Sequence, residues 1–564
     1  MRSLKQRFHH ARKTRRGRII LVVLGLVLLS AVGACLFYWF IYRKQIVREQ
    51  LEATVIRKSN GLYRISYDKL VLDEVNGHLS VTNLRLNYDS TRFLQLATTG
   101  KAPGMLLRIL IPKLIISGVK TPRALLGQEL IGQYVRLQEP RIELFYTNKG
   151  ADSLRHTPAP AIYQQILGDL NLIKLDSVLI NQAQILSYRY GDTSNLVRIS
   201  GADLHLHELS IDSVSNEDAS RILFSRQLLA RVNQVSWLSA DGRYRLQGDS
   251  IRLDASSQSA SIARFAIKPL LNEAAFTRSL RFADDRFEAD IRDLEFFRVR
   301  FNSLLNDTLH ADSVIVSQAL LQIYRDLGLP HDGKNRVGTY PHQALLRFGL
   351  ATRIDALKIE TASINYKERN AGTRMAGIVS FQHTRAHVKH LSNIKEYARE
   401  HPVMQVRIQT QFLNRAQLQL QWNFYLFHPK GQFTVTGELS SMPAAAVNVL
   451  TEPMGPARME KGQINNLQFN FTGHNYGMYG TVRMLYEDLK VSLLEKETGS
   501  GELSKKKLAS LAANIIIRKS NPADKKGNIR TAKVNMQRDT RRSIFHLSWK
   551  SLFQGIKRTV GINK

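Results

Sequence analysis

Three histidines, His383, His387 and His390, are spaced so that a helix would bring them to one face, where neutral imidazoles could hold a metal ion. Their surroundings do not read as a helix. Ile378 to Val388 has no apolar stripe at helical spacing, and on a strand His383 and His387 share a face that His390 opposes. A metal site is therefore not expected there. His205 and His207 alternate with Leu204 and Leu206, as the wet side of a strand would, and Glu487-Asp488 lie near strand ends without an identifiable partner. The chain contains no Gly-rich phosphate cradle, no Gly-x-Ser-x-Gly turn and no His-Glu-x-x-His pair. Cys35 is the only cysteine and lies in an apolar stretch, which excludes disulfide and thiolate-metal chemistry from the rest. Convergent polar groups are missing, so an enzyme is the least supported class, and no catalytic residue, metal or cofactor is expected.

What the sequence does repeat is structural. Seven times apolar residues fall at offsets 0, 2, 5 and 7 around a polar pair. The instances are Ile65/Tyr67/Leu70/Leu72, Leu79/Val81/Leu84/Leu86, Val135/Leu137/Pro140/Ile142, Val178/Ile180/Ala183/Ile185, Leu204/Leu206/Leu209/Ile211, Val314/Val316/Ala319/Leu321 and Leu357/Ile359/Ala362/Ile364. A step of two is strand periodicity; a step of three would turn the apolar face over unless a bulge or bend absorbs one residue. The pairs that must absorb it are Asp68-Lys69, Thr82-Asn83, Gln138-Glu139, Asn181-Gln182, His207-Glu208, Ser317-Gln318 and Glu360-Thr361. A sheet bent repeatedly in this way forms a trough lined by its apolar face; an ordinary β-sandwich core fits the same alternation. Asp-Ser-Val or Asp-Ala-Leu precedes three instances, at Asp176, Asp312 and Asp355, and the 43-residue spacing of Val135 to Val178 and of Val314 to Leu357 marks a degenerate repeat. The cleanest alternation sets Leu418, Leu420, Trp422, Phe424 and Leu426 against Gln417, Gln419, Gln421 and Asn423.

Residues 1–18 carry eight Lys or Arg and no acid, and Ile19 to Tyr42 then runs 24 residues without a charge. A helix of that length rises about 36 Å, enough to cross a hydrocarbon core of about 30 Å. The basic leader predicts a cytoplasmic N-terminus with the bulk of the chain across the membrane. Apolar residues continue past Val32-Gly33-Ala34-Cys35, which favours a retained anchor over a cleaved signal peptide. The net charge is +33, and residues 504–564 hold sixteen Lys or Arg against two Asp. For an exported chain, anionic lipid headgroups or lipopolysaccharide phosphates fit this excess better than nucleic acid does, and a solvated basic face fits it equally.

The expected organisation is a leader (1–18), a transmembrane helix (19–42), a β-groove start (43–150), a central repetitive groove (151–440), a C-terminal β segment (441–503) and a basic C-terminal segment (504–564). Short helices are expected over Pro122 to Tyr134, Pro160 to Leu170 and Ser504 to Ile517, with loops over Lys149 to Pro160 and Pro443 to Pro456. Phe545, Trp549, Leu552 and Ile556 recur at helical spacing among Lys550, Lys557 and Arg558, predicting an amphipathic helix within Ile544 to Ile562 that either packs on the sheet or meets a membrane or partner.

The anchor, the phrase Leu79-Ser80-Val81-Thr82-Asn83-Leu84-Arg85-Leu86, the stretch Gly462-Gln463-Ile464-Asn465-Asn466-Leu467 and the run from Gly480 to Leu489 resemble the AsmA-like family in layout over most of residues 19–564. The resemblance implies an inner-membrane-anchored periplasmic protein of a diderm bacterium: a single transmembrane helix, then a mainly β, elongated and bent sheet with an apolar groove and a few short amphipathic helices. It implies phospholipid transport to the outer membrane and no catalytic residues. The residues expected to line the groove are Ile65, Leu70, Val81, Leu84, Val178, Ile180, Leu204, Leu206, Val314, Val316, Leu357, Ile359, Leu418, Leu420, Trp422 and Phe424. The expected partners are membrane phospholipids, the inner membrane through residues 19–42, and an outer-membrane or periplasmic partner at the basic C-terminus. The alternative from another class is an envelope assembly scaffold that holds proteins by strand addition at sheet edges.

Overall fold

In the computed structural model the described residues are 55–562, apart from 58, 74–75, 120–128, 148–170, 192–194, 219, 240, 306, 371–374, 455–456, 497–502, 506–516 and 523–526. They are mainly β, in two compact units: Met1–Phe265 with Glu295–His310, and Ala266–Leu294 with Ala311–Lys564. The division falls inside the expected central stretch 151–440. The leader, the expected transmembrane helix 19–42, the helix expected at 160–170 and the loop expected at 149–160 lie outside the described residues. Among the described residues no helix is long and apolar enough to cross a membrane.

The N-terminal unit contains β1 (Tyr63–Ser66), β2 (Lys69–Asp73), β3 (His78–Tyr88), β4 (Met105–Ser117), β5 (Glu129–Gln138), β6 (Arg141–Tyr146), β7 (Leu172–Arg189), β8 (Asn195–Ile211), β9 (Gln227–Leu238) and β10 (Tyr244–Asp254). Its sheet is mixed, because β5 and β6 both pair with β7 in parallel while the other pairings are antiparallel. Register carries an apolar row across it: Val81, Leu114, Leu137, Ile180, Leu204 and Ala230 are successive cross-strand partners. A second row joins Leu79, Ile116, Val135, Val178, Leu206 and Leu228.

The predicted bends are present at six of the seven polar pairs. The second residue of four pairs adopts the left-handed conformation: Asn83 (φ 52°), Glu139 (φ 49°), Gln182 (φ 52°) and Glu208 (φ 52°). Lys69 opens β2 immediately after the break from β1. At Glu360-Thr361 the extra residue appears as a register shift between Ile359 and Ala362. No left-handed residue occurs at Ser317-Gln318. In the N-terminal unit the bends at Asn83, Glu139 and Gln182 align into one crease, whereas Glu208 lies apart, opposite Asp176. Pro112 lies between the pairs Thr82–Lys113 and Leu84–Ile111, where its missing N–H interrupts the ladder least. A bulge on β7 at Gln182 is answered on β8 by Gly201 (φ 62°), so the apolar residues on both sides return to one face. A Cβ on Gly201 would lie 2.1 Å from the Asn233 side chain. Gly201→Ala is therefore expected to lower stability by about 1–3 kcal/mol, read as the denaturant midpoint, whereas Glu139→Gly is expected to stay within about 0.5 kcal/mol because it relieves a left-handed non-glycine.

The strands β11 (Ser259–Pro269), β12 (Arg286–Phe297) and β13 (Thr308–Asp326) have residues in both units. The C-terminal unit continues with β14 (Ala351–Arg369), β15 (Ala376–Ser392), β16 (Val403–Phe412), β17 (Ala416–Tyr425), β18 (Phe433–Leu439), β19 (Met442–Pro443), β20 (Ala457–His474), β21 (Gly477–Lys496), β22 (Leu503–Lys505) and β23 (Ala532–Gln537). The pairings from β14 to β23 are antiparallel. The helix Ile544–Thr559 packs on β21 and β23, capped at its start by Ser543, which accepts from the His546 N–H. Its small face fits the sheet: a Cβ on Gly555 would lie 2.2 Å from the Val482 side chain.

Three expected elements are corrected. Residues 129–134, expected as the end of a helix, belong to strand β5 and run on into the strand expected at Val135 and Leu137, because Leu130 and Gly132 are buried and the segment gains a parallel partner in β7, which overrides the helical spacing of Leu130 and Tyr134. Residues 122–128 lie outside the described set. Leu503–Lys505 is a strand beside β21, and the rest of the helix expected from Ser504 lies outside the described residues except Ile517, which is not helical. The expected loop 443–456 contains a 3-10 turn, Ala444–Val447, and the helix Asn448–Met454. Helix-forming alanines start it, and Asn448 pins it by accepting from the Met459 N–H at 2.8 Å.

Candidate functional site

The sixteen apolar residues expected to line a groove separate into two groups. Val81, Val178, Ile180, Leu204, Leu206, Val314, Val316 and Phe424 are buried. These eight are packed among neighbouring side chains. In the N-terminal unit, Val81, Val178, Ile180, Leu204 and Leu206 belong to one cluster with Leu79, Leu114, Val135 and Leu137, where the side chains fill one another's space. Phe424 is covered directly by His342 and Phe433, with ring centroids 5.1 Å and 6.2 Å away, and Tyr340 packs in turn on Phe433. The others, Ile65, Leu70, Leu84, Leu357, Ile359, Leu418, Leu420 and Trp422, are half-buried.

Register brings four of these, Leu357, Ile359, Leu420 and Trp422, into two rows of the C-terminal unit. Leu357, Val388, Val406, Trp422, Val435 and Phe471 form one cross-strand row from β14 to β20. Ile359, Ala386, Ile408, Leu420, Gly437, Phe469 and Val482 form the row beside it, reaching β21. Along the first row access falls in one direction, from half-buried Leu357, Val388, Val406 and Trp422 to sealed Val435 and Phe471; along the second, Ile359, Ile408, Leu420, Gly437 and Phe469 are half-buried, whereas Ala386 and Val482 are sealed. In the N-terminal unit the same grading runs from buried Leu206 and Val178 to half-buried Val232, Val235, Trp237, Ile251 and Leu253 on β9 and β10.

The opposite face of the C-terminal sheet carries a cavity of about 550 Å³. One wall is the cross-strand set Arg407, Gln421, Thr436, Asn470 and Thr481, and the other is Gln409, Gln419, Glu438, Gln468 and Arg483. Ile408, Leu420, Gly437 and Phe469 lie between these walls as its floor. Glu438 accepts from Asn466 at 2.8 Å and from Gln468 at 2.9 Å, and these bonds hold its carboxyl below the usual carboxylate range. Alternation alone identified these amides as the wet side; that they flank a cavity follows only from register.

The histidines do not converge. His383 and His387 are exposed on β15, and His390 faces the other way, where it stacks on His401 at 4.3 Å and bonds the Tyr397 hydroxyl at 3.0 Å. Burial, then the neighbouring His401, pushes the His390 imidazole below its ordinary value. His207 bonds the Asp176 carbonyl at 2.7 Å and His205 lies 3.4 Å from Ser177, both on the wet side of β8. Asp488 has a partner the sequence did not reveal, an exposed pair with Lys461 at 3.6 Å, and it lies within β21, not at its end.

Comparison with known proteins finds no matching family model and no matching curated protein. The residues that converge in this geometry are apolar and accessible, an arrangement suited to holding hydrocarbon.

Proposed function

We propose that this chain is a non-enzymatic envelope protein that carries phospholipid acyl chains along the apolar face of its sheets. In this reading residues 19–42 anchor it in the inner membrane and the lipid moves between inner and outer membrane. The observation that carries the reading is the pair of adjacent cross-strand rows from β14 to β17, one through Leu357 and Trp422 and one through Ile359 and Leu420, apolar over successive strands and half-buried at every position but Ala386. An acyl chain of about sixteen carbons costs on the order of 12 kcal/mol to expose to water, and a continuous apolar strip removes much of that barrier. Headgroups stay in solvent, so the strip requires no polar recognition site.

Photo-crosslinkers at Ile359, Leu420 and Gln421 in cells test the reading. Lipid adducts at Ile359 and Leu420, with few at Gln421 on the opposite face, are the expected result. Protein adducts alone at Ile359 and Leu420, or equal lipid capture at Gln421, would overturn it.

A further inference from the structure

The helix Ile544–Thr559 has two apolar sides, and the sheet uses only one. Ile544, Leu547, Ser551, Gly555 and Thr559 are buried against it. On the far side Phe545, Trp549 and Phe553 recur every fourth residue and are 68%, 51% and 44% exposed. Exposure of three large aromatics in one line along one short helix is unlike the scattered apolar residues of an ordinary surface. The line is built: the Trp549 and Phe553 rings stack at 6.2 Å with planes 14° apart, and the Lys557 ammonium lies 5.5 Å from the Phe553 ring. Lys550 is exposed on the same side, and the helix carries Lys550, Lys557 and Arg558 with no acid. The helix is held firmly in place. The Thr559 carbonyl at its end accepts from the Arg530 guanidinium at 3.1 Å and from the Tyr486 hydroxyl at 3.3 Å.

We infer that this outer face is a docking surface for an anionic lipid bilayer. Charge complementarity selects that occupant: aromatic rings favour the headgroup level of a membrane, and lysines beside them favour anionic lipid. A rigid helix backed by a sheet would enter the interface by its ring line without unfolding, and the long lysine side chains would reach the phosphates. The inference does not depend on the apolar rows carrying lipid.

The test uses the full chain held in phosphatidylcholine nanodiscs, so that the apolar stretch 19–42 is already in lipid. Capture of separate fluorescent vesicles is then measured by co-sedimentation. Vesicles containing phosphatidylglycerol should be captured and pure phosphatidylcholine vesicles should not. The triple variant Phe545→Gln, Trp549→Gln, Phe553→Gln should lose capture by at least about tenfold. The pair Lys550→Gln, Lys557→Gln should lose roughly thirtyfold, with strong salt dependence in the parent. All five side chains lie outside the buried face of the helix, and unchanged thermal unfolding confirms that the variants fold. Capture that survives both variants, or that is equal on neutral vesicles, overturns the inference. So does a crosslinker at Trp549 that yields a protein adduct and no lipid, and lipid capture at Leu420 would stand in that case.

Discussion

Leu206→Asp is expected to unfold the N-terminal unit, whereas Leu420→Asp is expected to leave the C-terminal unit folded and to abolish lipid capture along its row. Leu206 is fully buried between its cross-strand neighbours Val178 and Leu228. An aspartate there must either remain charged in a low-dielectric core or take up a proton against its ordinary range, and it forfeits the leucine's own burial. Together these cost more than about 5 kcal/mol, comparable with the whole stability of a domain. Leu420 keeps part of its side chain in solvent, so a carboxylate there can stay hydrated at a cost of about 1–2 kcal/mol. Thermal unfolding followed by circular dichroism separates the two, and lipid crosslinking at Ile359 in the Leu420→Asp background reads the functional loss. A Leu420→Asp protein that melts normally and still loads lipid at Ile359 would count against transport along the row.

The contrast between these leucines marks how far the amino-acid pattern reaches. Period two with a three-residue step is a local property, and it located bends to the polar pairs that contain the left-handed residues Asn83, Glu139, Gln182 and Glu208. Which apolar residues are sealed is not local. Val178 and Leu357 begin equivalent repeats, yet one is enclosed by Val135 and Leu206 while the other remains half-buried, because closure depends on what strands distant in sequence bring across the face. The helix expected before Tyr134 failed for the same reason: the parallel partner Leu172–Arg189 lies beyond a long connection that no pattern in residues 129–138 reveals. The amphipathic helix at 544–559 was legible, and the structure shows that its two suggested fates are compatible, since its narrow small-residue face packs on the sheet while its aromatic line faces out. No sequence signal singled out His342.

His342 is expected to make the C-terminal unit acid-labile. It is 1% exposed, lies against Phe424 at 5.1 Å, and neither ring nitrogen has a hydrogen-bond partner. Burial, reinforced by the charge His428 can acquire, lowers its pKa from 6.5 to about 4. Between those values the unfolded chain binds a proton that the folded chain does not, so stability is complete above the unfolded value and falls as pH drops toward 4. The difference corresponds to about 3 kcal/mol. Burial also depresses His546 and His390 in this unit, and they contribute loss of the same sign. The measurement must therefore be a difference: the fall in unfolding free energy from pH 7 to pH 4.5 in the parent, less the same quantity in His342→Phe. A phenylalanine matches the ring beside Phe424 and removes both unpartnered nitrogens, so the variant should be at least as stable at pH 7 and lose less on acidification. Equal losses in the two proteins would mean that His342 finds a proton-stabilising partner as it charges, and the buried imidazole would then no longer account for acid lability.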